Sequence, residues 1–338
     1  MAWYHVPGNE QDVVISTRVR FARNLSEYPF PSRLDATGAK EIINKVGQVL
    51  EDNGFTKTDF SDISHTAAVS LVEKHYVSPE FVRESLPHAL YLNEPCNLSV
   101  MLCEEDHIRL QCILPGLALQ DAYKGACKVE QLLDERFDLA FDDKLGYLTH
   151  CPTNLGTAMR ASVMLFLPAT TMAGRMEALA ARLNQLGLTV RGLYGEGSGS
   201  DGYLYQVSNQ VTLGVTEEGT LRKLEDVVRQ IIDNERKLRL SVSGRELDLL
   251  TDRVLRAEGT LKYAHALTSA EFLKLAAEVR LGVAMGIIKD VKVETLTALL
   301  IEAMPATLTM NTEPTPKTEG ERDLARAMLV REKLTANP

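Results

Sequence analysis

Up to about residue 215 the chain alternates between two hydrophobic periods. Short runs that are apolar throughout, or apolar at every second position, predict strands at 13–20, 66–72, 98–103, 108–114, 161–168 and 203–215, the last broken by a turn. Between them, apolar residues recur with helical spacing over 36–53, 118–135 and 171–186, and Gly54 and Gly187 stand where two of these helices end. This mixture predicts sheet and helix together in one fold and leaves the strand order open. After Glu217 the pattern changes, because Leu221, Leu224, Val227, Val228, Ile231, Ile232 and Leu238 make one stripe on a long helix. Further helical spacing follows at 246–257, 269–285, 292–304 and 321–334. Thr268 with Glu271 has the pattern of a capping box, and a Pro/Thr-rich stretch over 311–319 precedes the last helix. The change of character predicts a boundary near 240, with a mixed unit over 13–238 and a helical one over 240–338.

Composition narrows the classes of function. Among 338 residues, 37 Lys and Arg stand against 46 Asp and Glu, a net charge of −9 that repels polyphosphate backbones and makes nucleic acid a poor default partner. No apolar run approaches the roughly 18 residues of a membrane span, and Met1-Ala2-Trp3-Tyr4-His5 lacks the features of a signal peptide, so a cytoplasmic chain without membrane contact is expected. Cys96, Cys103, Cys112, Cys127 and Cys151 include no C-x-x-C pair; thiols are expected, with neither a disulfide framework nor a protein-ligated metal.

The candidate chemistry lies in arginines. Strand alternation puts Ser16, Arg18 and Arg20 on one face of 13–20, and Ile15, Thr17 and Val19 on the other. In 108–114, Arg109 and Gln111 turn away from Ile108, Leu110 and Cys112. Arg160 follows the turn-compatible run Pro152-Thr153-Asn154-Leu155-Gly156-Thr157, and Arg191 precedes Gly192-Leu193-Tyr194-Gly195-Glu196-Gly197. Together these arginines suit a nucleoside triphosphate, since each guanidinium is a planar fork matched to phosphate oxygens. No G-x-x-x-x-G-K-[ST] occurs, which leaves a Walker-type NTPase unsupported. Glu104-Glu105-Asp106-His107 leads into the Arg109 strand and Glu196 lies in the glycine-rich loop, two places where a carboxylate can orient a cationic nucleophile and take its proton. Spacing alone favours the plainer alternatives: solvated arginines paired with acids, a solvated acidic loop, and Cys151 as a small buried residue.

Four segments in order change that balance: S-T-R-V-R (16–20), E-E-D-H-I-R-L-Q (104–111), G-Y-L-T-H-C-P-T-N-L-G-T-A-M-R-A-S-V (146–163) and R-G-L-Y-G-E-G-S (191–198). Over about 13–238 the chain resembles the phosphagen kinases, the ATP:guanidino phosphotransferases. The resemblance implies an α+β fold, a mainly antiparallel sheet flanked by helices, with ATP and Mg2+ as cofactors. It implies that Arg18, Arg20, Arg109, Arg160 and Arg191 hold the ATP phosphates within segments that include Ser16, Thr17, Val19, Ala161, Ser162, Val163, Met164, Gly192, Leu193, Tyr194, Gly195 and Glu196. His75, in Val72-Glu73-Lys74-His75, resembles the histidine of the adenine pocket. Glu105 and Glu196 look like the carboxylates that grip and deprotonate the guanidinium, and Cys151 like the family's active-site cysteine, an electrostatic orienter. Cys103 and Ala158 stand where the family usually has Asn and Gly, which is expected to alter loop geometry.

Two features resemble the bacterial protein-arginine kinases in particular. The first arginine strand begins only about a dozen residues into the chain, leaving no space for the helical domain that recognises small guanidino substrates. Near the other end, Arg322-Asp323-Leu324-Ala325-Arg326-Ala327 looks like an R-D-x-x-R-A phosphoarginine-binding motif, with Arg322 and Arg326 one turn apart and able to face one anion while Asp323 meets a guanidinium. An ordinary salt-bridged helix has the same spacing. The resemblance implies protein substrates presenting arginine and marked for degradation under stress. It also implies a zinc-containing activator, the Clp protease machinery and a heat-shock repressor as partners, and a homodimer or larger homo-oligomer. A kinase of a free guanidino metabolite and an inactive phosphoarginine-reading adaptor are the rival readings.

Overall fold

Ten residues of alternating character, Val14–Arg23, form β1 near the middle of an eight-stranded sheet. The structure, a computed structural model, describes residues 2–95, 97–192 and 202–335. After β1 come α1 (Ala36–Asp52), β2 (Phe55–Asp59), α2 (His65–Glu73), β3 (Ala89–Asn93), β4 (Leu98–Leu102), β5 (Ile108–Pro115) and α3 (Leu119–Asp134). A small hairpin, β6 (Phe141–Asp142) and β7 (Gly146–Tyr147), leads to β8 (Met159–Phe166), α4 (Pro168–Met172), α5 (Met176–Gln185), β9 (Leu188–Gly192) and β10 (Leu204–Asn209). Helices complete the described chain: α6 (Glu217–Ser241), α7 (Gly244–Tyr263), α8 (Ser269–Ala284), α9 (Val293–Glu302), α10 (Pro305–Asn311) and α11 (Glu319–Thr335). The sheet order is β2-β3-β4-β5-β1-β8-β10-β9 and each neighbouring pair is antiparallel, the α+β class that the resemblance implies.

The two faces of the sheet have different fates because side chains alternate along each strand. On one face Val19, Phe21, Leu110, Cys112, Ala161, Val163 and Val207 pack under α1, α3 and α6, where Ile42, Val46, Ala126, Val129, Leu224 and Val228 are buried. Each large apolar side chain so removed from water contributes roughly 1.5–3 kcal/mol. On the other face Met101, Ile113, Met164, Phe166 and Leu204 share a second apolar cluster with Phe272, Val279, Leu299 and Val330 of the C-terminal helices. Those helices cover only part of this face, and the remainder is polar.

Several elements depart from the periodicity. The run 66–72 is helix α2, not strand: Ser64 accepts a hydrogen bond from the Ala67 N–H at 3.2 Å and starts a helix that a short apolar run alone does not distinguish from a strand. The Glu73 carboxylate, at the end of α2, accepts the Ala306 and Thr307 N–H groups of α10 at 2.9 and 2.6 Å. The expected 292–304 helix is α9, and α10 starts separately at Pro305. Strands β2, β3 and β9 are additions, and the expected strand at 203–215 ends at Asn209. Thr268 caps α8 through the Glu271 N–H at 3.2 Å, as the capping pattern predicts. Among the described residues, no single helix is long and apolar enough to cross a membrane, and Cys103, Cys112, Cys127 and Cys151 are free thiols. Cys96 lies outside the described residues.

Candidate active site

Antiparallel register assembles the arginines. Arg20 of β1 lies opposite Arg160 of β8 on one side and Gln111 of β5 on the other; Arg109 lies opposite Ala22, and Arg18 opposite Ser162. Across β10, Gln206 pairs with both Met164 and Arg191, bringing β9 into the same row. Segments separated by up to about 170 residues thus place Arg18, Arg20, Arg109, Arg160 and Arg191 on the polar part of one sheet face. Arg18 Nη2 donates to Gln206 Oε1 at 3.4 Å, and Arg109 forms an ion pair with Glu104. Among the described residues, Arg18, Arg20, Arg160 and Arg191 have no carboxylate in ion-pair range, and the buried Nε atoms of Arg20 and Arg160 have no hydrogen-bond partner.

Charge crowding is the electrostatic result. Burial, and then the neighbouring Arg109, pushes the Arg18 guanidinium down to about 10. Arg20 is depressed further below its ordinary value, first by burial and then by Arg18, Arg109 and Arg160, with Glu104 opposing. Arg160 is lowered by burial, Arg191 and Arg109, while Cys151 and Glu105 pull the other way. Guanidinium groups keep their proton near neutrality, so these depressions measure the cost of holding like charges together in a partly dry site. A polyanion bound across the face would relieve that cost.

A cavity at one end of the row is lined by Arg20, Arg109, Arg160, Glu105, Asn154 and Ala158. Glu105 sits exposed at the tip of the 103–107 turn, whose other members are buried. Glu104 points back: its carboxylate binds Arg109 and accepts from the Ser78 hydroxyl. Periodicity does not reveal this role, although an acid shortly before Arg109 across a tight turn is a sequence signal for it. Gln111 is a second unanticipated member, donating to the His75 and Tyr76 carbonyls at 2.7 and 3.1 Å. His75 itself has φ +62°, lies 6.1 Å from the Trp3 ring and is pushed down to about 4 by burial and by Arg18, so it is neutral near pH 7. The half-buried Cys151 Sγ lies 3.0 Å from Thr153 Oγ1, in the electrostatic neighbourhood of Arg160.

Not every expected residue turns toward this face. Thr17 donates to the Gly116 carbonyl at 2.7 Å and accepts the Ala118 N–H at 3.1 Å. Val19, Ala161 and Val163 belong to the core under the helices. The side chains of these four therefore do not reach the arginine face, because strand alternation sends them through the sheet. Ser16 and Ser162 face the arginines and are buried, and Met164 joins the second apolar cluster. Gly192 ends β9, whereas Leu193, Tyr194, Gly195 and Glu196 lie outside the described residues. Cys103 and Ala158 have φ values of +62° and +46°, the region that favours Asn and Gly, so the chain holds a backbone suited to the usual residues instead of a different loop.

The C-terminal motif is arranged differently from the expectation. Arg326 is 1% exposed and donates through Nε to the Ala303 carbonyl at 2.9 Å and through Nη1 to the Leu267 carbonyl at 2.7 Å and to Asp323 Oδ1 at 2.6 Å. It fastens α11 to the end of α9 and to the segment before α8. Arg322 and Arg326 therefore do not present one free face to an anion, and Asp323 is engaged by Arg326. Arg322 is half-buried and has no ion pair among the described residues.

Comparison with known proteins agrees with this geometry. Residues 39–238 match the family model described as the ATP:guanido phosphotransferase C-terminal catalytic domain, and residues 248–338 match that of the protein-arginine kinase McsB C-terminal domain. The protein-arginine kinase of Pelotomaculum thermopropionicum is 40% identical over 345 residues, covering 99% of this chain and 96% of that one. That of Clostridium kluyveri is 43% identical over 330 residues, covering 96% and 95%. Among solved structures, the duplicated taurocyamine kinase of Schistosoma mansoni with bound transition state analog components superposes with a TM-score of 0.62 at 26% identity. The match covers 74% of this chain and 38% of that duplicated one. Lombricine kinase superposes with a TM-score of 0.61 at 24% identity, covering 71% of each chain, a likeness of fold.

Proposed function

The chain belongs to the ATP:guanido phosphotransferases and, within them, to the protein-arginine kinases, and we propose that it transfers the γ-phosphoryl group of ATP to arginine side chains of proteins. The observation that carries this reading is the row of arginines, in which the buried Nε atoms of Arg20 and Arg160 have no partner among the described residues, with the exposed Glu105 at its end. The orphaned donors fit phosphate oxygens, and a carboxylate beside them fits the cation that is to be phosphorylated.

In this reading Arg18, Arg20, Arg109, Arg160 and Arg191 receive the phosphates, with Glu104 and Ser78 fixing the Arg109 guanidinium. His75, neutral and close enough to Arg18 to feel its charge, stands at the adenine end. Mg2+ bound together with ATP would neutralise charge on the transferring group. Glu105 and Glu196 align the incoming guanidinium and one of them takes its proton. That base is necessary because a guanidinium with a pKa above about 12 has no free lone pair for attack. Cys151 orients the cation, and the arginines stabilise charge during in-line transfer.

The proposal includes a catalytic unit over 13–238 and a helical unit over 240–338; the break between α6 and α7, at Val242 and Ser243, lies a few residues beyond that boundary and supports a division in this region. The half-buried Arg322 is its candidate for phosphoarginine, with Asp323 and Arg326 shaping the helix beside it. Family resemblance supports a cytoplasmic homodimer or larger assembly, a zinc-containing activator, the Clp protease machinery and a heat-shock repressor as partners, and a role in stress-linked degradation. The test is incubation with Mg-ATP and, in parallel, an unfolded model protein and free arginine, followed by mass spectrometry under non-acidic handling. Phosphoarginine on the protein is the expected result. Phosphate on free arginine alone would overturn the choice of substrate.

A further inference from the structure

Immediately after β1, Asn24 is 2% exposed and lies outside the arginine row. Its side-chain carbonyl accepts the His107 N–H at 2.8 Å, and its amide donates to Asp106 Oδ1 at 2.6 Å and to the Leu148 carbonyl at 3.0 Å. A carbonyl can only accept and a backbone N–H can only donate, so these partners fix which way the amide points. Asp106 Oδ1 also accepts the His150 N–H at 2.8 Å. Backbone contacts reinforce the junction, since the Asn24 carbonyl accepts the Ala140 N–H at 2.7 Å. His107 accepts the Leu25 N–H through Nδ1 at 3.1 Å, which leaves Nε2 as the donor to the Pro29 carbonyl at 2.8 Å.

Asn24 therefore joins the end of β1 to two loops whose direct link is the Asp106–His150 hydrogen bond, and it holds that same Asp106 oxygen. Asp106 is next to Glu105, and His150 is next to Cys151. We propose that Asn24 is a positioning residue for phosphoryl transfer: its amide holds the Glu105 loop and the Cys151 loop at the separation at which one guanidinium meets both. The inference rests on the roles assigned above to Glu105 and Cys151. An amide is required because one side must accept and the other must donate twice. Alanine would leave buried groups of both loops unpaired, and aspartate would set a second carboxylate against Asp106.

The test compares the parent protein with Asn24→Ala, Asn24→Asp and Glu105→Gln. Steady-state kinetics with ATP and an unfolded protein substrate are measured beside site-resolved iodoacetamide labelling of the cysteines. For Asn24→Ala, kcat should fall about 100-fold, the scale of misplacing a reacting group by about 1 Å. The KM for ATP should stay within about threefold, because the arginine row is untouched. Labelling of Cys151 should accelerate while Cys112, buried in β5 away from both loops, stays protected. Unchanged kcat, or a rise in the KM for ATP matching the fall in kcat, would overturn the proposal. If Cys112 labels as well, the variant has lost its fold and Asn24→Asp, which keeps the size of the side chain but not its donor, decides. With Cys112 protected its kcat should fall at least about tenfold at an unchanged KM for ATP, and parent turnover overturns the proposal. Glu105→Gln separates the two ideas: unchanged turnover there removes the site reading itself, whereas its loss beside a normal Asn24→Ala removes only the role of Asn24.

Discussion

A single histidine carries a pH signature of the site. Burial, with Arg18 nearby, keeps His75 unprotonated in the folded chain down to about 4, whereas in the unfolded chain it takes a proton near 6.5. Between those values the unfolded state binds more protons, so stability should fall as the pH is lowered through that window and this contribution should level off below about pH 4. Urea unfolding of the parent and of His75→Gln across pH 4–7 checks it, with the shallower slope expected for the variant. Other residues of the site are read more simply. Ala158 and Cys103 sit in left-handed conformations at about 1–2 kcal/mol each, which the surrounding hydrogen bonds of their loops sustain; Cys103 N, for example, donates to the His107 carbonyl at 2.9 Å.

At the scale of elements, spacing predicts a shared face on a strand and fails to do so on a helix. On β1 alternation sends Arg18 and Arg20 to the polar face and Val19 to the core, as the pattern requires. On α11, one turn of helix does not place Arg322 and Arg326 together, because two carbonyls from the ends of other segments draw the Arg326 guanidinium inward. The consequence for mutagenesis is direct. Arg326→Ala should destabilise the protein by about 3 kcal/mol, since it strands Asp323 and two buried carbonyl groups. Arg322→Ala should leave the thermal midpoint within about 1 °C and weaken phosphoarginine binding about tenfold or more, the scale of a lost charge-assisted hydrogen bond. Calorimetry of both variants, with and without phosphoarginine, distinguishes a structural arginine from a recognising one. Equal binding by Arg322→Ala and the parent would remove the assignment.

The whole molecule carries a net charge of −9 and yet concentrates on one sheet face four arginines, Arg18, Arg20, Arg160 and Arg191, with no ion pair among the described residues. Binding of a polyanion there should stabilise the fold, and the mutual repulsion of the arginines that it relieves contributes to its affinity. ATP or inorganic tripolyphosphate at 100 times its Kd should add about 2.7 kcal/mol through mass action. The resulting thermal shift should shrink with added salt and be largely lost in Arg20→Gln. A shift that is indifferent to both would mean that the face is not the binding surface. What the sequence determined by itself was local: strand alternation on β1 and β5, the helical stripe of α6, the Thr268 cap and the ordered motifs all follow from side-chain periodicity and short spacing. Only the tertiary structure decided that Ser78 and Glu104 fix Arg109, that Asn24 links two loops, that 66–72 is helix and that Arg326 turns inward. Those outcomes depend on partners tens to hundreds of residues away, and a buried polar group takes whichever partner the fold brings to it.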